Sequence, residues 1–237
     1  MKDEDTLKIE NQKIGIFNCQ CAYFDKSKIN KVILWPGQMG FEKVVKNLSK
    51  KTPKKDYIVL AFQVNNWDND LSPWESKGIK GEYFNGDGIK TLNFIKNEFF
   101  PFFEKKFPEI KNKPKIVGGY SLSGLFSLYC FYATDIFIAV GGMSPSLWFE
   151  DWFKFMNNHH ANLKDSFIYL SLGDLEEKST TKPLDIGINV KKMYEIVKKD
   201  SNVKDSIYEL NKGGHFNDGE ERTSKGFAWL LERVSIF

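Results

Sequence analysis

Lys115-Ile-Val-Gly-Gly-Tyr-Ser-Leu-Ser-Gly-Leu-Phe-Ser-Leu-Tyr129 changes character part-way along. Up to Gly119 the run is short and apolar, as a buried strand is; from Leu122 onward it reads as a helix. Ser121 stands at the junction, with Gly118, Gly119 and Gly124 around it. A serine on a sharp strand-to-helix turn needs small neighbours. The turn is strained, and a Cβ two residues away would press on the adjoining strand and helix. A helix start also offers free N–H groups and the positive end of the helix dipole to an oxyanion. The plainer alternative is that Ser121 only caps the next helix. Ser123 stands where the G-x-S-x-G pattern has its second glycine. It is small enough to fit and lies too far into the helix to be the first choice as nucleophile.

Outward from this turn, strands and helices alternate. Residues 13–24 and 30–35 read as strands joined by a hairpin turn at Asp25-Lys26-Ser27, so the sheet is expected to begin antiparallel. Strands then follow at 57–63, 115–119, 136–142, 167–172 and 205–210. Helices are expected near 87–106, from 122, and near 146–157, 184–199 and 220–234. This order predicts an α/β protein with a mostly parallel sheet, antiparallel at its N-terminal strands and covered by helices on both faces. No repeat or composition shift divides the chain, so residues 1–237 read as one domain. The stretch 64–86 is long for an irregular loop, which marks it as functional or as holding unrecognised structure.

Three histidines are present, and His215, in Asn211-Lys-Gly-Gly-His-Phe-Asn-Asp218, falls between the last strand and the final helix. That is the place of the general base in the α/β-hydrolase order of Ser, acid and His. An imidazole titrates near neutrality, so it can take the serine proton and return it to a leaving group. The acid is expected in the loop after strand 167–172, where Asp174, Glu176 and Glu177 are available. Spacing favours Glu176, then Asp174, then Glu177, to hold the imidazole in its productive tautomer. An oxyanion hole needs the N–H of Leu122 and a second amide, from Gln38 or Met39 in the Trp35-Pro-Gly-Gln-Met-Gly40 turn. Trp67, Trp74 and Trp148 lie in segments expected at the carboxyl ends of the strands, where open α/β sheets bind ligands. They read either as a substrate pocket or as core filling.

Composition narrows the function classes. Lysine and arginine number 34 against 31 acidic residues, a net +3 spread over lysine-rich faces without interleaved aromatic platforms, so nucleic acid is not an expected partner. No run has transmembrane length, and the acidic start Met1-Lys-Asp-Glu-Asp-Thr6 lacks an apolar leader core. The expectation is a cytoplasmic protein without a membrane partner. Cys19 and Cys21 alternate on one strand face and are not spaced as a metal or redox motif, and His159-His160 lacks carboxylate or thiolate companions. No metal site is expected. Nothing in the sequence specifies an oligomeric state.

The constellation resembles the putative-esterase (esterase D-like) family of α/β-hydrolases, which includes S-formylglutathione hydrolases, feruloyl esterases and siderophore trilactone esterases. The resemblance spans roughly residues 30–237. It is carried by Gly119-Tyr-Ser-Leu-Ser-Gly124, Ser144-Pro-Ser-Leu-Trp148, Ser171-Leu-Gly-Asp-Leu-Glu-Glu177, Gly213-Gly-His-Phe216 and the loop Asn66–Trp74. It implies hydrolysis of a small-molecule ester through an acyl-serine, with no metal or organic cofactor. Ser121 would be the nucleophile, His215 the base and Glu176 the acid. Thioester substrates and acyl transfer to another acceptor fall within the same chemistry. A non-catalytic binding protein of this fold is the rival reading, in which Ser121 and His215 would stand apart.

Overall fold

The computed structural model describes residues 6–78, 81–178 and 185–234. Met1–Asp5, and residue 184 at the start of the sequence-predicted helix 184–199, lie outside the described residues.

Eight described strands form one sheet: β1 (Lys8–Ile14), β2 (Phe17–Tyr23), β3 (Lys31–Pro36), β4 (Tyr57–Phe62), β7 (Lys115–Tyr120), β8 (Ala139–Met143), β9 (Ser166–Gly173) and β10 (Val203–Asn211). They lie in the order β1-β2-β4-β3-β7-β8-β9-β10. The β1–β2 and β2–β4 pairs are antiparallel; from β4 to β10 every pair is parallel. This is the expected α/β-hydrolase-like architecture. Strands β3 and β4 are buried at every position. Their alternate side chains enter two cores, with Val32 and Leu34 on one face and Ile33 and Trp35 on the other. A parallel strand covered on both faces has no polar side to show, which is why residues 32–36 and 57–62 are continuously apolar.

The hairpin expected at Asp25-Lys26-Ser27 does not form. Those residues lie at a short 3-10 turn, and β2 runs antiparallel to β4 while β3 sits beyond β4. β3, apolar at every position after Lys31, has to lie between two strands, here β4 and β7, whereas β2, with Asn18 and Gln20, suits a position nearer the edge. The true hairpin joins β1 to β2 and turns at Gly15, with φ +54°. β1, Lys-Ile-Glu-Asn-Gln-Lys-Ile, escapes a hydrophobicity reading because an edge strand is largely wet.

Helix α1 (Phe41–Lys51) hides among lysines, but Phe41, Val44, Val45 and Leu48 make a buried seam at helical spacing. It packs on the same sheet face as α9 (Gly219–Val234). α3 (Gly88–Phe94) continues through a π-helical turn (Ile95–Phe99) into α4 (Phe100–Lys106). With α5 (Leu122–Ala133) and α8 (Ile186–Val197) they cover the other face. The stretch 64–86 holds the short helix α2 (Trp67–Asp70) and, in its described part, a two-stranded ribbon of β5 (Glu75–Lys77) and β6 (Tyr83–Asn85). The helix expected near 146–157 contracts to α6 (Trp152–Met156), because turns satisfy the preceding backbone: Ser146 N–H donates to Ser121 O and Phe149 N–H to Ser146 O.

Candidate active site

β7 ends at Tyr120, and the chain turns through Ser121 into α5. Ser121 has φ +60° and ψ −125°, a conformation non-glycine residues avoid at a cost of about 1–3 kcal/mol. Its side chain makes no capping bond to α5, so the plain cap reading is not what the geometry shows. Three backbone bonds hold the turn: Ser121 N–H donates to Met143 O at 3.0 Å, while Ser121 O accepts from Leu125 N–H at 3.1 Å and Ser146 N–H at 3.2 Å. A Cβ on Gly119 would overlap Ser123 Oγ and lie 2.6 Å from the Ser123 carbonyl carbon, which accounts for glycine there. Ser123, in place of the motif's second glycine, donates its hydroxyl to Pro36 O. It thereby ties the turn to the end of β3.

His215 comes from the loop between β10 and α9. Its Nε2 lies 3.0 Å from Ser121 Oγ and its Nδ1 lies 2.6 Å from Glu176 Oε2. Tyr120 O–H donates to His215 O at 2.8 Å. The acid loop after β9 forms α7 (Asp174–Glu177) and divides its three carboxylates among three tasks. Glu176 reaches His215. Asp174 accepts the Gly213 N–H at 2.8 Å, which anchors the histidine loop. Glu177 pairs with Lys191 at 2.9 Å and accepts from Tyr208 O–H at 3.4 Å, away from the imidazole.

Glu176 is buried, which by itself would raise its pKa. Hydrogen bonds from His215, from Ser144 Oγ at 2.7 Å and from Gly173 N–H at 2.8 Å outweigh burial and hold it at about 2. Its folded pKa is thus depressed below the ordinary 4.5. The stability this adds is complete above pH 4.5 and is lost as pH falls toward about 2. Melting temperatures from pH 6 down to pH 2 are therefore expected to fall more steeply for the wild type than for Glu176→Gln; parallel curves would contradict it.

Beside this chain of contacts lies a cleft of about 580 Å³ whose lining includes Trp35, Met39, Trp67, Tyr120, Phe216 and Glu220. Trp67 thus stands in the cleft. Trp74 and Trp148 do not line it. Trp74 stacks on Trp152 and donates its Nε1–H to Glu150 O at 2.9 Å, and Trp148 packs against Phe84 and Phe149. Trp74, just before the ribbon, covers α5 and α6 through Tyr129, Trp152 and Phe155, and Trp148, in the turns before α6, packs beneath β6 of the ribbon. In the loop after β3, Gln38 is buried, its N–H donates to Phe62 O at 3.2 Å and its side-chain amide donates to Gln20 at 2.8 Å. That amide is spent inside the fold, whereas Met39 is exposed at the cleft. Leu122 opens α5, where a first-turn N–H has no acceptor within its own helix.

Sequence reasoning did not single out Ser144, Tyr120, Phe216, Glu220 or Arg222. Ser144 is held at φ +45° with its hydroxyl on Glu176. Arg222 was signalled by rarity alone: of 34 basic residues, two are arginines, Arg222 and Arg233.

The sequence matches the model of the family described as "Putative esterase" over residues 39–217. The chain belongs to this esterase family. It is a carboxylic ester hydrolase. No curated protein matches the esterase's sequence. Among solved structures it resembles the siderophore hydrolase EstA from Aspergillus nidulans, with 16% identity, a TM-score of 0.79 and coverage of 96% of this chain and 95% of that one. An IroE-like serine hydrolase from Shewanella oneidensis gives 14% identity, a TM-score of 0.73 and coverage of 96% and 80%. The Pyrococcus furiosus esterase Pf2001 gives 15%, 0.62, 96% and 93%. At such identities the likeness establishes a shared fold. Among the described residues of the esterase no helix is long and apolar enough to cross a membrane, and no group of three His, Cys, Asp or Glu side chains is placed to hold a metal. Its three cysteines are buried, and burial pushes the Cys19 thiol up to about 12 and the Cys21 thiol to about 11.

Proposed function

We propose that this esterase cleaves small, uncharged, largely apolar esters through an acyl-serine on Ser121, and that the chain works as a single domain. Ser121 Oγ attacks the ester carbonyl while His215 Nε2 takes its proton. The tetrahedral oxyanion is held by the N–H groups of Leu122 and Met39, and its collapse expels the alcohol, which takes the proton from His215. Water, activated by the same imidazole, then attacks the acyl group and releases the acid and Ser121. Glu176 keeps the proton of neutral His215 on Nδ1 and stabilises the imidazolium while it exists.

One observation carries the reading: an unbroken Ser121 Oγ–His215 Nε2 and His215 Nδ1–Glu176 Oε2 chain at 3.0 and 2.6 Å, opening on a cleft. A ligand-binding member of the fold would have no need of it. The cleft lining favours the substrate class, since among the described residues it holds four aromatic rings and one carboxylate, Glu220, with no lysine or arginine. Siderophore hydrolases share the fold, so ester-linked siderophores belong in the substrate panel.

The test is fluorophosphonate labelling with peptide mapping, on the wild type beside Ser121→Ala and His215→Ala. Labelling at Ser121 that both variants lose is expected; a folded wild type that stays unlabelled overturns the reading. Trp67, which leans on Gly37 of the loop after β3, forms one wall of the cleft. Trp67→Ala is expected to raise KM for an apolar ester about five- to tenfold with kcat changed less, because uniform substrate burial is lost. Initial-rate kinetics with p-nitrophenyl butyrate measure both.

A further inference from the structure

Arg222, in the first turns of α9, is 2% exposed, and its contacts run to several separate elements. Nη2 donates to Glu176 Oε1 at 3.0 Å and also to Ser144 Oγ, and Nη1 donates to Gly214 O at 3.2 Å. The guanidinium carbon sits 5.2 Å from the centre of the Tyr120 ring, and Tyr120 holds His215 through its backbone carbonyl. Nε, buried with the rest, has no hydrogen-bond partner.

Such a residue is poorly explained by stability. A buried ion pair gains little over well-packed apolar side chains, and an unpaired buried N–H costs about 1–3 kcal/mol. The chemistry also requires arginine, in a chain whose other basic residues are lysines except for Arg233. A planar fork can reach the carboxylate, the serine and the Gly214 carbonyl at once, and a compact ammonium cannot.

We propose that Arg222 is the positioning residue of the acid and base pair. Together with Ser144 Oγ and Gly173 N–H it fixes Glu176 Oε1, so that Oε2 is the oxygen facing His215 Nδ1, and through Gly214 it sets the depth of the histidine loop. The inference rests on the Ser121–His215–Glu176 reading above. The charged and titratable groups acting on Glu176 are His215 and Arg222, with Tyr120 and Tyr208 coupled to it electrostatically. Taking the cation away leaves Glu176 a stronger partner for imidazolium. Activity that needs neutral imidazole then begins at higher pH.

Arg222→Met, Arg222→Lys and Ser144→Ala are compared with the wild type by melting temperature, by pH profiles of kcat and KM on p-nitrophenyl butyrate, and by the rate of fluorophosphonate labelling at Ser121. Arg222→Met is expected to lower kcat and the labelling rate about 10- to 100-fold, to change KM less than about threefold and to move the acid limb of kcat/KM upward. Arg222→Lys should recover the limb more than the rate, since it restores charge without the fork. Ser144→Ala, which keeps the arginine, should lower kcat without moving the limb upward and reports on the network if Arg222→Met does not fold. A folded Arg222 variant with wild-type labelling rate and limb overturns the proposal while leaving Ser121 as nucleophile. A wild type unlabelled at Ser121 overturns both.

Discussion

Ser121→Ala is expected to lower kcat by about 10⁴-fold or more, with the melting temperature near that of the wild type. The Ser121 hydroxyl touches His215 Nε2 and, at 3.5 Å, Ser146 Oγ, so its loss removes from the buried Ser146 hydroxyl only a long, weak contact. The strained backbone is held by main-chain bonds that alanine keeps. His215→Ala should lower kcat to the same order. The double variant should be little worse than either single one, because the two side chains act in one proton transfer and removing either already abolishes it. Single-turnover and steady-state rates on p-nitrophenyl butyrate decide the matter. Residual activity within about a hundredfold of wild type in Ser121→Ala would place the nucleophile elsewhere, and additive losses would mean that His215 acts apart from Ser121.

The second large effect is on stability. Glu176→Ala removes the anion facing Arg222, a guanidinium in the protein interior with no other carboxylate in its recorded contacts. An uncompensated buried charge costs about 3–5 kcal/mol, a large share of the stability of an ordinary domain. Denaturant titration should show that loss. The double change Glu176→Ala with Arg222→Met should be more stable than Glu176→Ala alone, since the stranded charge is gone. If Glu176→Ala unfolds at the wild-type denaturant midpoint, the buried pair does not behave as a coupled unit.

The order of the proposed catalytic residues is legible because it is local chemistry repeated along a line. A serine between strand and helix, an acidic loop after β9 and a glycine-flanked histidine before α9 each sit where the parallel-sheet pattern places them. What the sequence hides is partnership. Its pattern shows residues 32–36 to be apolar but not which strand lies beside them, so a nearby turn reads as a hairpin. It shows a Pro-Gly turn at 36–37 but not that the Gln38 amide is already bonded to Phe62 O. Trp74 and Trp148 have the composition of a pocket, yet Trp74 covers α5 and α6 and Trp148 packs against Phe84 and Phe149. Arg222, on a helix with a mixed polar face, looks like a solvated cation until the fold turns it inward.

α9 supplies Arg222, borders the cleft through Gly219, Glu220 and Thr223, and grips α1 through the Lys51–Glu221 and Lys43–Glu220 pairs. His215 lies in the loop that leads into it. A chain emerging from the ribosome would therefore carry Ser121 on its turn and Glu176 in its loop long before either could work. On the proposed mechanism hydrolytic competence arrives only when α9 docks, so ester turnover by a nascent or refolding chain times that docking rather than gauging how much sheet has formed.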